Sequence, residues 1–197
     1  MNRLFAISLA MFFTLPVHAE SDSLSTQAGQ NFGVSLSAYQ YNEPGVMSLQ
    51  GRKLGLDLQV TRLLQKQQFI RGELRYAGGT VDYTSTETGS SQGSPDLYLE
   101  ARGLVGKDWE INNAVLVNYV GVAYRYLYND ERGSSCDATT CYWGYRRESN
   151  YIYLPLGLSY RTAAPNNARW VSTLEYDHLL AGRQVSRLSD GGQATLI

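Results

Sequence analysis

From Leu54 to Thr61 the chain alternates with a period of two: Leu54, Leu56, Leu58 and Val60 are separated by Gly55, Asp57, Gln59 and Thr61. Successive side chains of a β-strand point to opposite faces, so the pattern predicts a strand with one apolar and one polar face. A helix would scatter the leucines around its cylinder. The predicted strand extends from about Met47 to Leu63, and the pattern recurs six more times along the chain.

A first strand sets Phe32, Val34, Leu36 and Ala38 against Gly33, Ser35, Ser37 and Tyr39. The third, from Phe69 to about Tyr83, opposes Ile70, Leu74 and Tyr76 to Arg71, Glu73 and Arg75. In the fourth, Leu97, Leu99, Ala101 and Val105 alternate with Tyr98, Glu100, Arg102 and Leu104. The fifth places Val120, Val122, Tyr124 and Tyr126 opposite Tyr119, Gly121, Ala123 and Arg125. The sixth has Ile152, Leu154, Leu156, Leu158 and Tyr160 on one face and Tyr151, Tyr153, Gly157, Ser159 and Arg161 on the other. Pro155 inside it cannot donate to a ladder. The seventh opposes Leu174 and Tyr176 to Thr173, Glu175 and Asp177.

The connections alternate in length. Gln65–Gln68, Lys107–Asn113 and Thr162–Ala168 are short, and the second of them carries Trp109. Thr84–Pro95 is rich in Ser, Thr and Gly and reads as a loop without a core, while Asn129–Glu148 is the longest loop. Asn42-Glu43-Pro44-Gly45 is a tight turn. Glu20–Gln30 is polar and aperiodic, a flexible lead-in. Gly78-Gly79 and Gly191-Gly192 read as bends. Short turns at one end and long loops at the other are the rhythm of a transmembrane barrel.

Charge placement separates that reading from a soluble barrel. The polar faces carry Lys53, Arg71, Arg75, Arg102 and Arg125 against Asp57, Glu73, Glu100, Glu175 and Asp177. Equal numbers of each sign suit charges that must pair inside a narrow lumen, with Arg161 near a mouth. Gly55, Gly121, Ala123 and Gly157 on the same face leave room for them. The apolar faces are almost free of charge. Tyr39, Tyr41, Tyr83, Tyr126, Tyr128 and Tyr151 fall near the long-loop ends, and Phe69, Trp109, Tyr160 and Trp170 near the short turns, as two interfacial belts would require.

Met1–Ala19 is a separate object: Asn2 and Arg3 head an apolar run from Leu4 to Leu15, followed by Val17-His18-Ala19. It reads as a secretory signal peptide cut before Glu20, since the run is shorter than the roughly 20 residues needed to span a bilayer as a helix. The remaining residues, 20–197, form one predicted domain. Of the 197 residues, 17 are basic and 18 acidic, a balance that carries no electrostatic footprint for nucleic acid. No later segment is apolar enough for a membrane helix, so membrane entry would require a closed β-barrel.

The leader, the glycine-bearing strand Tyr119-Val120-Gly121-Val122-Ala123-Tyr124-Arg125 and the loop rhythm together resemble the small Gram-negative outer-membrane β-barrels of the OmpA-like and opacity type. The resemblance implies an all-β, up-and-down antiparallel transmembrane β-barrel of eight strands, an outer-membrane location and a monomer in contact with outer-membrane lipid. Such barrels close on an even strand number, so Gln193–Ile197 is expected to begin an eighth strand that continues beyond Ile197.

Candidate chemistry is sparse. Cys136 and Cys141 in an exported chain read as a local disulfide pinning the longest loop, and neither a metal nor a cofactor is expected. Glu175 and Asp177 share a face, which suits a lumenal acid/base pair less well than a salt-bridge plug. His178 is expected on the lipid side near the outer end; a lipid A hydrolase would need it, but the His-x-Ser and Asp-x-His arrangements of such enzymes are absent. The expected role is therefore non-enzymatic: adhesion, surface interaction or envelope structure. Tyr142, Trp143, Tyr145, Arg146 and Arg147 are the candidate contacts for an extracellular or host ligand, because aromatics and Arg dominate interface energetics. A narrow solute channel is the first alternative, the lipid A hydrolase the second.

Overall fold

A computed structural model of the chain describes residues 24–65, 67–85, 89–136, 141–165 and 168–190, with the side chains of 134–136, 141 and 142 excepted. The leader, residues 193–197 and the cysteine side chains lie outside the described residues.

Seven strands follow one another: β1 (Gly29–Glu43), β2 (Met47–Leu63), β3 (Gln68–Ser85), β4 (Gly89–Ile111), β5 (Ala114–Cys136), β6 (Cys141–Ala164) and β7 (Ala168–Arg187), ending in a 3₁₀ turn at Leu188–Asp190. They form one antiparallel sheet in the order β1-β2-β3-β4-β5-β6-β7. The all-β, up-and-down reading holds strand for strand. Every pair is a hairpin, so register is set by the turn and by which face the aliphatics take. Gly45 at φ 76° and Asn112 at φ 53° occupy the left-handed region that tight reversals require.

The faces fall as the alternation predicts, and the sheet is amphipathic in the inverted sense. Leu36 is 66% exposed, Val122 57% and Leu174 76%, whereas Glu100 is wholly buried and Asp108 and Arg102 nearly so. The polar side chains converge on one concave face, where β4 reaches β7 across the sheet through Arg102 and Glu175. Glycines admit this crowding. A Cβ on Gly157 would stand 1.9 Å from the Tyr119 ring, which lies across the glycine of the neighbouring strand.

Several expected loops are strand. Pairing continues to Ser85↔Gly89 in the β3–β4 hairpin and to Cys136↔Cys141 in the β5–β6 hairpin, so Thr84–Pro95 and Asn129–Glu148 are mostly extensions of the ladder. Lys107–Ile111 likewise belongs to β4, and the reversal is Asn112-Asn113. Gly, Pro, Asn and Asp at these positions lower strand propensity, but cross-strand pairing overrides it. β7 runs well past Asp177, to Arg187. A bulge between the partners of Ile152 and Tyr153 shifts its inward parity, which the strict alternation could not show. Pro155 is accommodated where no β5 partner is paired with it, between Val120↔Leu156 and Ala123↔Tyr153.

The lead-in is not free either. Leu24 packs on the buried cluster of Phe69, Val115 and Val117 at the short-turn end. Thr26 donates through its backbone N–H and, at 2.9 Å, its hydroxyl to Asp108. Arg161 donates to the Leu24 carbonyl and to the Thr26 hydroxyl, both at 3.2 Å. A polar, aperiodic segment is thus fixed by two partners far away in sequence.

The belts also need correction. Tyr39, Tyr41, Tyr83 and Tyr151 stand on the concave face with the polar residues, as does Phe69, which is fully buried. Trp109, Tyr160 and Trp170 stand on the apolar face.

Candidate functional site

The concave face is organised around a layer of ion pairs at mid-strand height. Glu100 of β4 accepts from Arg125 Nε at 2.8 Å, from Arg75 at 3.2 Å and from the Tyr153 hydroxyl. Glu73 of β3 meets Arg75 at 3.0 Å, Arg102 at 3.3 Å and Arg71 at 3.9 Å. Arg102 grips Glu175 of β7 with two nitrogens, at 3.0 and 2.5 Å, and Tyr119 donates to the same carboxylate at 2.6 Å. Arg125 reaches Asp177 at 3.4 Å. Charges this deeply buried persist only when paired, and each arginine here faces at least one carboxylate.

This joins Arg71, Glu73, Arg75, Glu100, Arg102, Arg125, Glu175 and Asp177 in one network, as the matched face charges predicted. Lys53 and Asp57 stand outside it. Lys53 pairs with Asp96, and Asp57 accepts a hydrogen bond from Ser35 at 3.3 Å. Asp96 and Asp108 were hidden by the assignment of their surroundings to loop and connection. Tyr153 and Tyr119 lay on the predicted polar faces, but nothing local marked them as partners of Glu100 and Glu175.

Above this layer, toward the long hairpins, the concave face borders a half-open space of about 880 Å³. Its wall includes Tyr39, Tyr41, Tyr98 and Tyr151, with Arg75 and Arg125 at its floor. Tyr39, Tyr41 and Tyr151, expected in an interfacial belt, therefore line this space, beside Tyr98 of the predicted polar face.

The β5–β6 hairpin beyond it is less free than a binding loop would be. Trp143 is 57% exposed. Arg146, however, donates to Asp190 at 2.6 and 2.9 Å, and Arg147 donates to the Tyr145 hydroxyl at 2.9 Å while covering that ring. Arg146 and Arg147, two of the five candidate contacts, are thus engaged by neighbouring side chains, and the Tyr142 side chain lies outside the described residues. Asp130 is held down to about 2, chiefly by hydrogen bonds from Arg132. Its neighbour Glu131 is pushed up by burial, and its Oε1 has no hydrogen-bond partner among the described residues.

A raised carboxyl destabilises the fold at pH values where it must ionise; that cost lifts as pH falls from the folded pKa and is gone below the ordinary carboxylate value of the unfolded chain. Glu131→Gln, which imitates the neutral acid, is accordingly expected to raise the melting temperature at pH 8 and to leave it unchanged at pH 4. Thermal unfolding at the two pH values measures this; equal shifts at both would contradict it.

The sequence matches no family model and no curated protein.

His178 is exposed on the apolar face, its ring 6.2 Å from that of Tyr176. It lies at mid-strand in β7 rather than near the outer end, because β7 continues to Arg187. Cys136 and Cys141 are opposed in the backbone register, a spacing compatible with a cross-strand bond. Among the described residues no cluster of His, Cys, Asp and Glu could hold a metal ion.

Proposed function

We propose that this chain is an integral outer-membrane β-barrel protein of non-enzymatic role, whose long hairpins project outside the cell and contact surface or host partners. The observation that carries the reading is the inversion of the sheet: aliphatic side chains cover the exposed face while paired charges fill the concave one. In water that arrangement leaves a large apolar surface unprotected, and in a bilayer it is the required one. A signal peptide at Met1–Ala19, closure by an eighth strand and a disulfide between Cys136 and Cys141 belong to the same proposal.

Trp143, on the tip side of the β5–β6 hairpin, is the strongest remaining candidate contact. Cells displaying the chain without residues 129–148 are expected to lose binding to host cells or matrix, measured by adherence of matched strains. Undiminished adherence would remove the surface-contact role.

A narrow solute channel is the second reading, favoured by the chamber of about 880 Å³ and opposed by the ion-pair layer beneath it. Single-channel conductance in a planar bilayer separates the two.

A further inference from the structure

We infer that the chamber above the ion-pair layer is a binding site for a neutral, hydroxyl-rich ligand, a short oligosaccharide in chemical class. The inference stands on the concave face itself and goes beyond the surface-contact role, since it requires neither the hairpin tips nor lipid.

Three observations converge. The first is a concave space with a floor. The floor is Arg75 and Arg125, each tied to Glu100, so a ligand entering from the hairpin end stops there. The space of about 880 Å³ lies within the range of roughly 300–1,000 Å³ typical of small-molecule sites.

The second is charge. Lys53 is taken by Asp96, Arg125 by Glu100 and Asp177, and Arg75 by Glu73 and Glu100. Arg147 at the rim lies within electrostatic reach of Glu131. With the wall cations matched by acids, an anion finds no dedicated counter-charge; the remaining lining carboxylates, Asp57, which already accepts from Ser35, and Glu43, are acceptors that the hydroxyls of a neutral ligand can serve. The ring of Tyr39 is already covered by Lys53 at 4.5 Å and that of Tyr98 by Arg125 at 5.7 Å, which withdraws these two rings from any cage for an external cation.

The third is the character of what remains. Tyr41, Tyr151 and Gln184 line the space, and none of these three makes a side-chain hydrogen bond to another described residue. Flat aromatic rings with a polar edge, interspersed with uncommitted hydroxyl and amide groups, complement a ligand that alternates C–H faces with hydroxyls. Sugars have that alternation.

The test is titration of the purified full-length chain with maltotriose, in micelles or, if it dissolves without detergent, in buffer. Saturation-transfer NMR detects contact and calorimetry gives the affinity. Saturable binding is expected, weakened at least tenfold by Tyr41→Ala combined with Tyr151→Ala and unchanged by Trp143→Ala at the hairpin. Tyr41→Phe with Tyr151→Phe keeps the rings and removes the hydroxyls; it is expected to give a smaller loss, and it serves if the alanine pair does not fold. Tetramethylammonium and tripolyphosphate are the charged probes. Tighter binding of either overturns the ligand class, and no saturable binding of maltotriose, or binding indifferent to both tyrosine pairs, overturns the site.

Discussion

Glu100→Ala is expected to cost about 3–5 kcal/mol of folding stability, the largest loss of any single substitution on the concave face. Glu100 is completely buried and receives Arg125, Arg75 and Tyr153 at once. Removing its carboxylate leaves the guanidinium of Arg125 with Asp177 at 3.4 Å and the neutral Tyr153 hydroxyl at 3.1 Å, and deprives that hydroxyl of its acceptor. Arg75 suffers less, because Glu73 still holds it at 3.0 Å. The asymmetry makes a second arm available. Glu100→Met combined with Arg125→Met removes both halves of the closest Glu100 pair, and it is expected to recover a substantial part of the loss, since no guanidinium is left without a carboxylate and Asp177, which loses Arg125, is 33% exposed to water. Urea unfolding of the three proteins measures both effects. A loss below about 1 kcal/mol for Glu100→Ala would place that carboxylate in water and contradict the buried layer.

On the opposite face, Leu156→Arg is expected to cost about 2–4 kcal/mol when the protein is refolded into bilayers. Leu156 lies on the apolar face at mid-strand, between Val120 of β5 and Tyr176 of β7. Arginine there would have to bring its charge into hydrocarbon or drag it to an interface. If the same face met water, an exposed Leu→Arg change would alter stability by no more than about 0.5 kcal/mol. The two environments thus give different answers to one substitution. Trp143→Arg, at the exposed hairpin position, supplies the control and is expected to be neutral. Equal, small effects at both positions would sink the membrane reading while leaving the fold intact.

Much of this architecture was legible because strand periodicity is a local property. A residue and its second neighbour share a face whatever the rest of the chain does, so Leu54 to Val60 and Leu154 to Tyr160 announce their strands without knowledge of any partner. The same alternation placed Arg71, Glu73, Glu100, Arg102 and Glu175 on one side, and a burial penalty on unpaired charge implied that they meet. Strand ends were less legible. Thr84–Pro95 and Asn129–Glu148 have the composition of loops, but the energy that extends β3 to β6 comes from the strand opposite, and no window of sequence contains it. The tyrosines were misread for a related reason: proximity to a strand end suggested an interfacial belt, although parity had already put Tyr39 and Tyr151 on the polar face. Parity was the better guide, because it follows from backbone geometry.

What the sequence by itself determined is the number and order of the seven strands, which face of each is apolar, and that the ionic face carries matched charges. What only the tertiary structure decided is the pairing: Arg102 with Glu175 across the concave face, Lys53 with Asp96 in place of a place in the central network, and Leu24 and Thr26 seated against Phe69, Asp108 and Arg161. Alternation fixes only the side of the sheet on which a side chain lies. Which opposite charge it meets depends on curvature and register summed over several strands, and those are properties of the folded sheet.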